Sequence, residues 1–191
     1  AFIREDDVYV VTGYHAVVES LRSGRIKVRE VWISRKTQSE RTREIVRLAE
    51  GLGISVQFKA GEEISRLFGE SAHQGVAAFA RGFRYADLEE ILRLARRRPE
   101  EGLIAVADHI TDEGNLGAII RTAAFFGAHG LILPKDRSAR ITTRVFKRAS
   151  GACSLLPVAQ VVNLGRTLDF FKEQGFWIIG SAGESAVSVH A

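Results

Sequence analysis

The sequence predicts an α/β protein with a small α/β unit in front and a parallel-sheet unit behind it. Three observations carry this reading. From Leu103 onward, short apolar runs alternate with helical patterns, the signature of βαβ units. Ahead of Arg81, strand-like and helix-like stretches also alternate, in shorter pieces. Between them, a helical stretch ends in Arg96, Arg97, Arg98 and Pro99, a charged, proline-terminated segment typical of a boundary. The expected division is 1–81, a connecting segment 82–100, and 101–191.

Each element follows from its residues. Tyr14 to Leu21 has a short helical period, and Glu30 to Ser34 reads as a strand. Ser39 to Glu50 reads as a helix, with Ser39 as N-cap and Gly51 and Gly53 as stops. Ser55 to Lys59 alternates like a strand, Glu62 to Phe68 is a short helix, and Gly75 to Ala80 is a short apolar strand. Tyr85 to Pro99 is helical. Leu103 to Ala107 is an unbroken apolar run, as in a strand covered on both faces. Asn115 to Phe126 is helical and closed by Gly127, Gly130 to Leu133 is the next strand, and Ile141 to Ala149 is a basic helix. Leu156 to Val161 is a strand. Asn163 caps a helix that ends at Gly175, and Phe176 to Ile179 reads as a further buried strand.

Composition excludes several function classes. Hydrophobic residues make up 46% and charged residues 26%, an ordinary globular balance. No apolar run approaches the roughly 20 residues of a membrane helix, and no secretory signal opens the chain. The single cysteine, Cys153, has no partner for an internal disulfide, so a reducing, cytoplasmic setting is expected. One Cys and five scattered His build no metal cluster. Ser150 and Ser154 have no His–Asp arrangement beside them, which argues against a hydrolase. The net charge of +4 permits a nucleic-acid partner. From Lys135 to Arg148 six basic residues (Lys135, Arg137, Arg140, Arg144, Lys147, Arg148) stand against one acid, Asp136. Such a run is either a solvated helix face or a phosphate-contacting surface.

The loop after Ala107 carries the chemistry. In an open parallel sheet, ligands bind at the carboxyl ends of strands, and this loop leaves one. It runs from Asp108 through Asp112 and Glu113 into Asn115, Gly117 and Arg121. Asn115 is either a helix cap or a site residue. Gly117 permits close approach of another backbone. Arg121, set among alanines and isoleucines, is expected to be partly desolvated and to seek an anion. Neither G-x-G-x-x-G nor a P-loop is present, so ordinary dinucleotide and NTP readings lose support.

The acidic loop followed by Asn115-x-Gly117-Ala118-x-x-Arg121-Thr122-Ala123 resembles the first signature of the SpoU/TrmH family of RNA ribose 2′-O-methyltransferases. Asp136 to Ala139, Ser150 to Ala152, Pro157-Val158, Asn163-Leu164 and Trp177 to Gly180 are similar to the stretches that follow it. Gly13 to Val17 and His73 to Gly75 resemble the small substrate-binding domain of the bacterial members that methylate a 23S rRNA guanosine. The resemblance implies a ribosomal-protein-L30-like front domain and a SPOUT catalytic domain closed by a trefoil knot, which pattern reasoning would not reach. It implies S-adenosylmethionine as donor, RNA as partner, no membrane, and a homodimer. Arg121 matches the arginine assigned to deprotonate the ribose 2′-hydroxyl, and Asn115 the asparagine that supports the site. A guanidinium rarely gives up its proton, so orienting the hydroxyl and stabilising charge stands beside the base role. Ser181 and Ala182 match the start of the donor loop. His15 and His73 are RNA contacts or ordinary histidines, and Arg137, Arg140, Arg144 and Lys147 are the expected phosphate contacts.

The chain departs from the family pattern at its end. A Gly-Glu-Gly-type loop and a Ser-Leu-Asn-Val-Ser-Val-like stretch follow in the family, and Gly183-Glu184 matches neither. The expectation is a chain that stops before the knot, binds the donor poorly on its own and is inactive alone. Two alternatives differ in function: a transfer-RNA methyltransferase of the same family, and a non-catalytic RNA-binding module. The presence of both Asn115 and Arg121 argues against loss of chemistry.

Overall fold

The computed structural model describes residues 8–37, 39–68, 74–97 and 102–181. Two sheets organise them. The first has the order β1-β4-β2-β3, built from β1 (Val8–Thr12), β2 (Ile26–Ser34), β3 (Ser55–Lys59) and β4 (Val76–Phe83). β4 lies antiparallel to both β1 and β2, and β3 runs parallel to β2. Helices α1 (Tyr14–Ser23) and α2 (Glu40–Gly51) cover one face, burying Val17, Leu21 and Ile45 against Val11, Val31 and Ile33. Ser39 caps α2 through a reciprocal pairing with Thr42, as its place before the helical period predicts. α3 (Gly61–Phe68) buries Ile64.

The second sheet has the order β5-β6-β7, all parallel: β5 (Ile104–Val106), β6 (Gly130–Pro134) and β7 (Val158–Val161). Alternate residues of the central strand face opposite ways. Leu131 and Leu133 meet α5 (Glu113–Phe125), α6 (Thr143–Arg148) and α7 (Ala152–Leu155), while Ile132 meets α4 (Leu88–Ala95) and α8 (Leu164–Glu173). This two-sided covering produces the apolar GLIL run. Asn163 caps α8, as expected. Residues 82–97 hold α4, whose Ile91 lies so close to Gly130 that an added Cβ there would meet it at 2.6 Å.

One continuous core joins the halves, running from Val17 and Val31 to Leu116 and Val158. Three buried or part-buried polar contacts lock it. The Tyr9 hydroxyl donates to the Ile141 carbonyl at 2.8 Å, the Ile141 N–H donates to the Tyr85 hydroxyl at 2.9 Å, and the Ser20 and Ser154 hydroxyls share a bond at 2.7 Å.

Several local expectations are corrected. β1 and the short α7 are additional to the elements read from the sequence. The helix before the second sheet is α4 only, capped at its start by Asp87. β5 is covered on both faces in part, as Ala105 packs on the α5–α7 side and Ile104 on the α4–α8 side; among the described residues it is an edge strand, and Val106 at its end is 39% exposed. Phe176 to Ile179 forms no strand. Trp177 is 94% and Ile179 93% exposed, because the segment pairs with no neighbouring strand among the described residues. The implied trefoil knot lies outside the described residues.

Candidate active site

The site is built where β5 and β6 release their chains. Asp112 caps α5, its carboxylate accepting the Asn115 N–H at 2.7 Å. Asn115 was a candidate for this cap, but the helix starts two residues earlier, so the Asn115 side chain stands exposed on the first turn. Asp112 and Glu113 already complement the helix dipole, so a further anion gains little there. His109 sits at positive φ with its ring 2.7 Å from Asp108.

The loops after the two strands are stapled together. Ile110 O accepts from Ala139 N at 2.8 Å and from Ser138 Oγ at 3.4 Å. This ties the acidic loop to the basic run. Along that run Ala139, Ile141, Val145, Phe146 and Ala149 are buried, whereas Lys135, Arg137, Arg140, Arg144, Lys147 and Arg148 are exposed. The apolar members anchor the segment, and every cation it carries faces solvent. Thr142 starts α6 by accepting from Val145 N. Ile141 is fixed on both sides by tyrosine hydroxyls, Tyr9 of the first half and Tyr85 of the connecting segment.

α6 packs on α5 at Gly117, where an added Cβ would fall 2.6 Å from Arg148 Cβ and 3.0 Å from Val145 O. Gly117 therefore does permit close approach, and the neighbour is α6. Leu116, Gly117 and Ile120 are buried, and Arg121, about 40° round the helix from Gly117, stands exposed at the margin of that face. The expected desolvation is thus corrected: Arg121 is exposed, and among the described residues no hydrogen bond or ion pair holds it. Six residues of helix separate Asn115 from Arg121, about 9 Å along the axis and about 120° around it. The two side chains leave different faces of one helix, so a ligand touching both must lie along it.

The remaining candidates distribute as follows. His15 is exposed at the start of α1, edge-on to Tyr14 with ring centres 4.9 Å apart. Its neighbour Ala16 meets Gly151, where an added Cβ would lie at 3.0 Å, which sets His15 near the turn after α6. Ser181 is exposed after Gly180. His73 and Ala182 lie outside the described residues. Cys153 is fully buried, and burial pushes its thiol up to about 12, a packing residue and not a nucleophile. Sequence reasoning missed Tyr9 and Tyr85 as supports of the basic loop. Their partner lies 132 and 56 residues away, so no local signal could reveal it.

A cation network also braces the junction of the halves. Glu90 binds buried Arg25 at 3.1 Å and Arg84 at 3.0 Å. Burial pushes the Glu90 carboxyl up, but the Arg84 hydrogen bond and the Arg25 charge outweigh it and leave it below the usual range.

Comparison with known proteins agrees with this architecture. Residues 102–191 match the SpoU rRNA Methylase family, and residues 10–86 match a family described as RNA 2′-O ribose methyltransferase substrate binding. The chain is 37% identical over 177 residues to the 23S rRNA (guanosine-2′-O-)-methyltransferase RlmB of Ralstonia nicotianae, covering 92% of this chain and 70% of that protein. It is 35% identical over 176 residues to RlmB of Nitrosomonas europaea, covering 92% and 66%. With a tRNA/rRNA methyltransferase of Synechocystis it shares 37% identity over 179 residues, covering 93% of this chain and 46% of that protein. Among solved structures, the SpoU methyltransferase AviRb of Streptomyces viridochromogenes, in complex with AdoMet, superposes with a TM-score of 0.59 at 24% identity, covering 88% of this chain and 60% of that one. The chain thus spans between about half and about two thirds of the length of most of these proteins. On the two family matches and these identities, the chain belongs to the SpoU/TrmH family of RNA methyltransferases.

Proposed function

We propose that this protein transfers a methyl group from S-adenosylmethionine to a ribose 2′-hydroxyl of RNA, with a 23S rRNA guanosine as the target. The observation that carries this reading is the stapled pair of loops. They set Arg121 and Asn115, both exposed and with no side-chain partner among the described residues, on α5 beside a run of exposed cations on α6 and its leading loop. A polyanion fits the cations, and a 2′-hydroxyl fits a multidentate donor.

Among the described residues the donor has no enclosed seat: Ser181 is exposed, and Ala182 lies outside them. Family membership supports the donor's identity, and its sulfonium supplies the methyl. What this chain's residues contribute is positioning. The ribose oxygen is the nucleophile, and its proton must leave. A guanidinium is a permanent five-donor cation, so Arg121 holds the ribose oxygen and the negative charge that develops on it, and water takes the proton. Asn115 orients the same nucleotide from the first turn. Arg137, Arg140, Arg144 and Lys147 contact flanking phosphates, with His15, and His73 outside the described residues, on the front half.

The functional division follows the same boundaries: 1–81 binds RNA, 82–100 connects, and 101–191 performs transfer. The working form is a cytoplasmic homodimer. No helix among the described residues is long and apolar enough to cross a membrane.

The test uses the protein expressed from its native gene, labelled S-adenosylmethionine, and ribosomal RNA from a strain lacking that gene. The expected result is one guanosine in 23S rRNA made resistant to alkaline cleavage on its 3′ side. Label on a base, on transfer RNA alone, or on no RNA contradicts the proposal.

A further inference from the structure

The outward face of the first sheet carries a second basic surface that the site above does not use. The β2–β4 register sets Lys27 directly opposite Arg81, and the β1–β4 register sets Val8 opposite Arg81. One row therefore crosses the sheet as Val8–Arg81–Lys27. The adjacent Val28–Ala80 pair is buried, which turns this row outward, and Lys27 and Arg81 are both exposed. Arg29 lies in the register irregularity between Val28 and Glu30, the extra residue of a bulge, and is exposed beside them.

Like charges directly opposite each other on a sheet destabilise it. Among the described residues no ion pair offsets the repulsion, and none of the three cations has a hydrogen bond. The nearby Arg25 and Arg84 differ, since both are bound by Glu90. The adjacent Glu30 carboxylate accepts the Trp32 indole N–H at 2.8 Å and forms no ion pair with any of the three, so the row keeps a net positive charge. A cross-strand cation pair with no ion-pair partner among the described residues is suited to a polyanion that neutralises it.

The patch is also continuous with the basic helix. Val8, at the end of the row, lines a cavity of about 580 Å³ together with Val10, Thr143 and Lys147, so α6 reaches the edge of this face. Arg81 and Lys27 lie one and two strands further in, roughly 5 and 10 Å from β1.

We propose that Lys27, Arg29 and Arg81 form a second phosphate-binding patch, which continues the Arg144–Lys147 surface across the first sheet and grips the RNA strand away from the methylated nucleotide. The proposal rests on RNA being the substrate. It makes these residues determinants of RNA affinity and not of transfer.

The experiment compares the protein from its native gene with its Lys27→Gln/Arg29→Gln/Arg81→Gln variant. Binding of a 23S rRNA fragment is measured against salt, alongside kcat and KM for that fragment and the melting temperature. Loss of three phosphate contacts should shallow the slope of log K against log salt by about 2. KM for RNA should rise at least tenfold, kcat should stay within twofold, and the melting temperature should hold or rise as the repulsion is relieved. An unchanged slope in the variant, with the unaltered protein binding and methylating RNA, overturns the patch and leaves the proposed function standing. If RNA binding is unchanged but retention on anionic vesicles is lost, the surface is a membrane contact and the proposal fails. Failure of the unaltered protein to bind RNA sinks both readings.

Discussion

Replacing Gly117 with alanine sets two known magnitudes against each other. In an open helix the change gains about 1 kcal/mol of helix propensity. At this position the new methyl would lie 2.6 Å from Arg148 Cβ, 2.9 Å from Arg148 Cγ and 3.0 Å from the Val145 carbonyl. Two of these atoms are side-chain stem and one is backbone, so α6 itself must move. Overpacking of this kind costs roughly 1–3 kcal/mol. The net expectation is a loss of about 1 kcal/mol, or roughly 2–4 °C in melting temperature for a chain of this size. Gly51, the last residue of α2, supplies the control, since nothing lies within 4 Å of an added Cβ there. Gly51→Ala should therefore raise stability by about 0.5 kcal/mol. Urea unfolding of both variants reads the two signs. Because α6 carries Arg144 and Lys147, Gly117→Ala should also weaken RNA binding. A Gly117→Ala protein as stable as the Gly51→Ala protein would refute the α5–α6 packing described here.

Three further outcomes are expected. Glu90→Gln strips Arg25, whose side chain is 9% exposed and whose Nε is already unpartnered, of its carboxylate, at a cost of roughly 3 kcal/mol in urea unfolding. Because Glu90 titrates lower in the folded state than in the unfolded one, its contribution is full above about pH 4.3 and is lost as pH falls through the folded value. The acid limb of the stability curve should therefore be shallower in Glu90→Gln than in the unaltered protein. Cys153, fully buried with its thiol at about 12, should resist an aromatic disulfide reagent at pH 8 and react completely in guanidinium. Tyr9→Phe orphans the buried Ile141 carbonyl and should cost about 1–2 kcal/mol, while loosening the loop that carries Arg140 and so lowering RNA affinity.

What the sequence makes legible is what local chemistry decides. Ser39 and Asn163 announce helix starts because a short polar side chain there satisfies free N–H groups of the first turn. The alternation of GLIL with helical stretches announces a parallel sheet because strands covered on both faces must be apolar throughout. The signature from Asn115 to Arg121 points to the family and to the helix. It does not say which way Arg121 faces, because that depends on α6 docking at Gly117. The FWII segment looks like LIAVA in composition, yet a strand exists only when a neighbour takes its hydrogen bonds, and a single sequence does not name the neighbour. The same holds for Ile141, whose N–H and C=O are claimed by Tyr85 and Tyr9 from distant parts of the chain. The cross-strand pair of Lys27 and Arg81 is invisible until the register is known.

The decisive measurement is methylation of ribosomal RNA by the protein from its native gene, compared with its Arg121→Ala variant, read as resistance of the target nucleotide to alkaline cleavage. If Arg121 holds the ribose oxygen and its developing charge, single-turnover transfer should fall by at least about 10²-fold while RNA affinity changes by less than threefold. Full transfer by the Arg121→Ala protein would contradict the placement of the active site on α5.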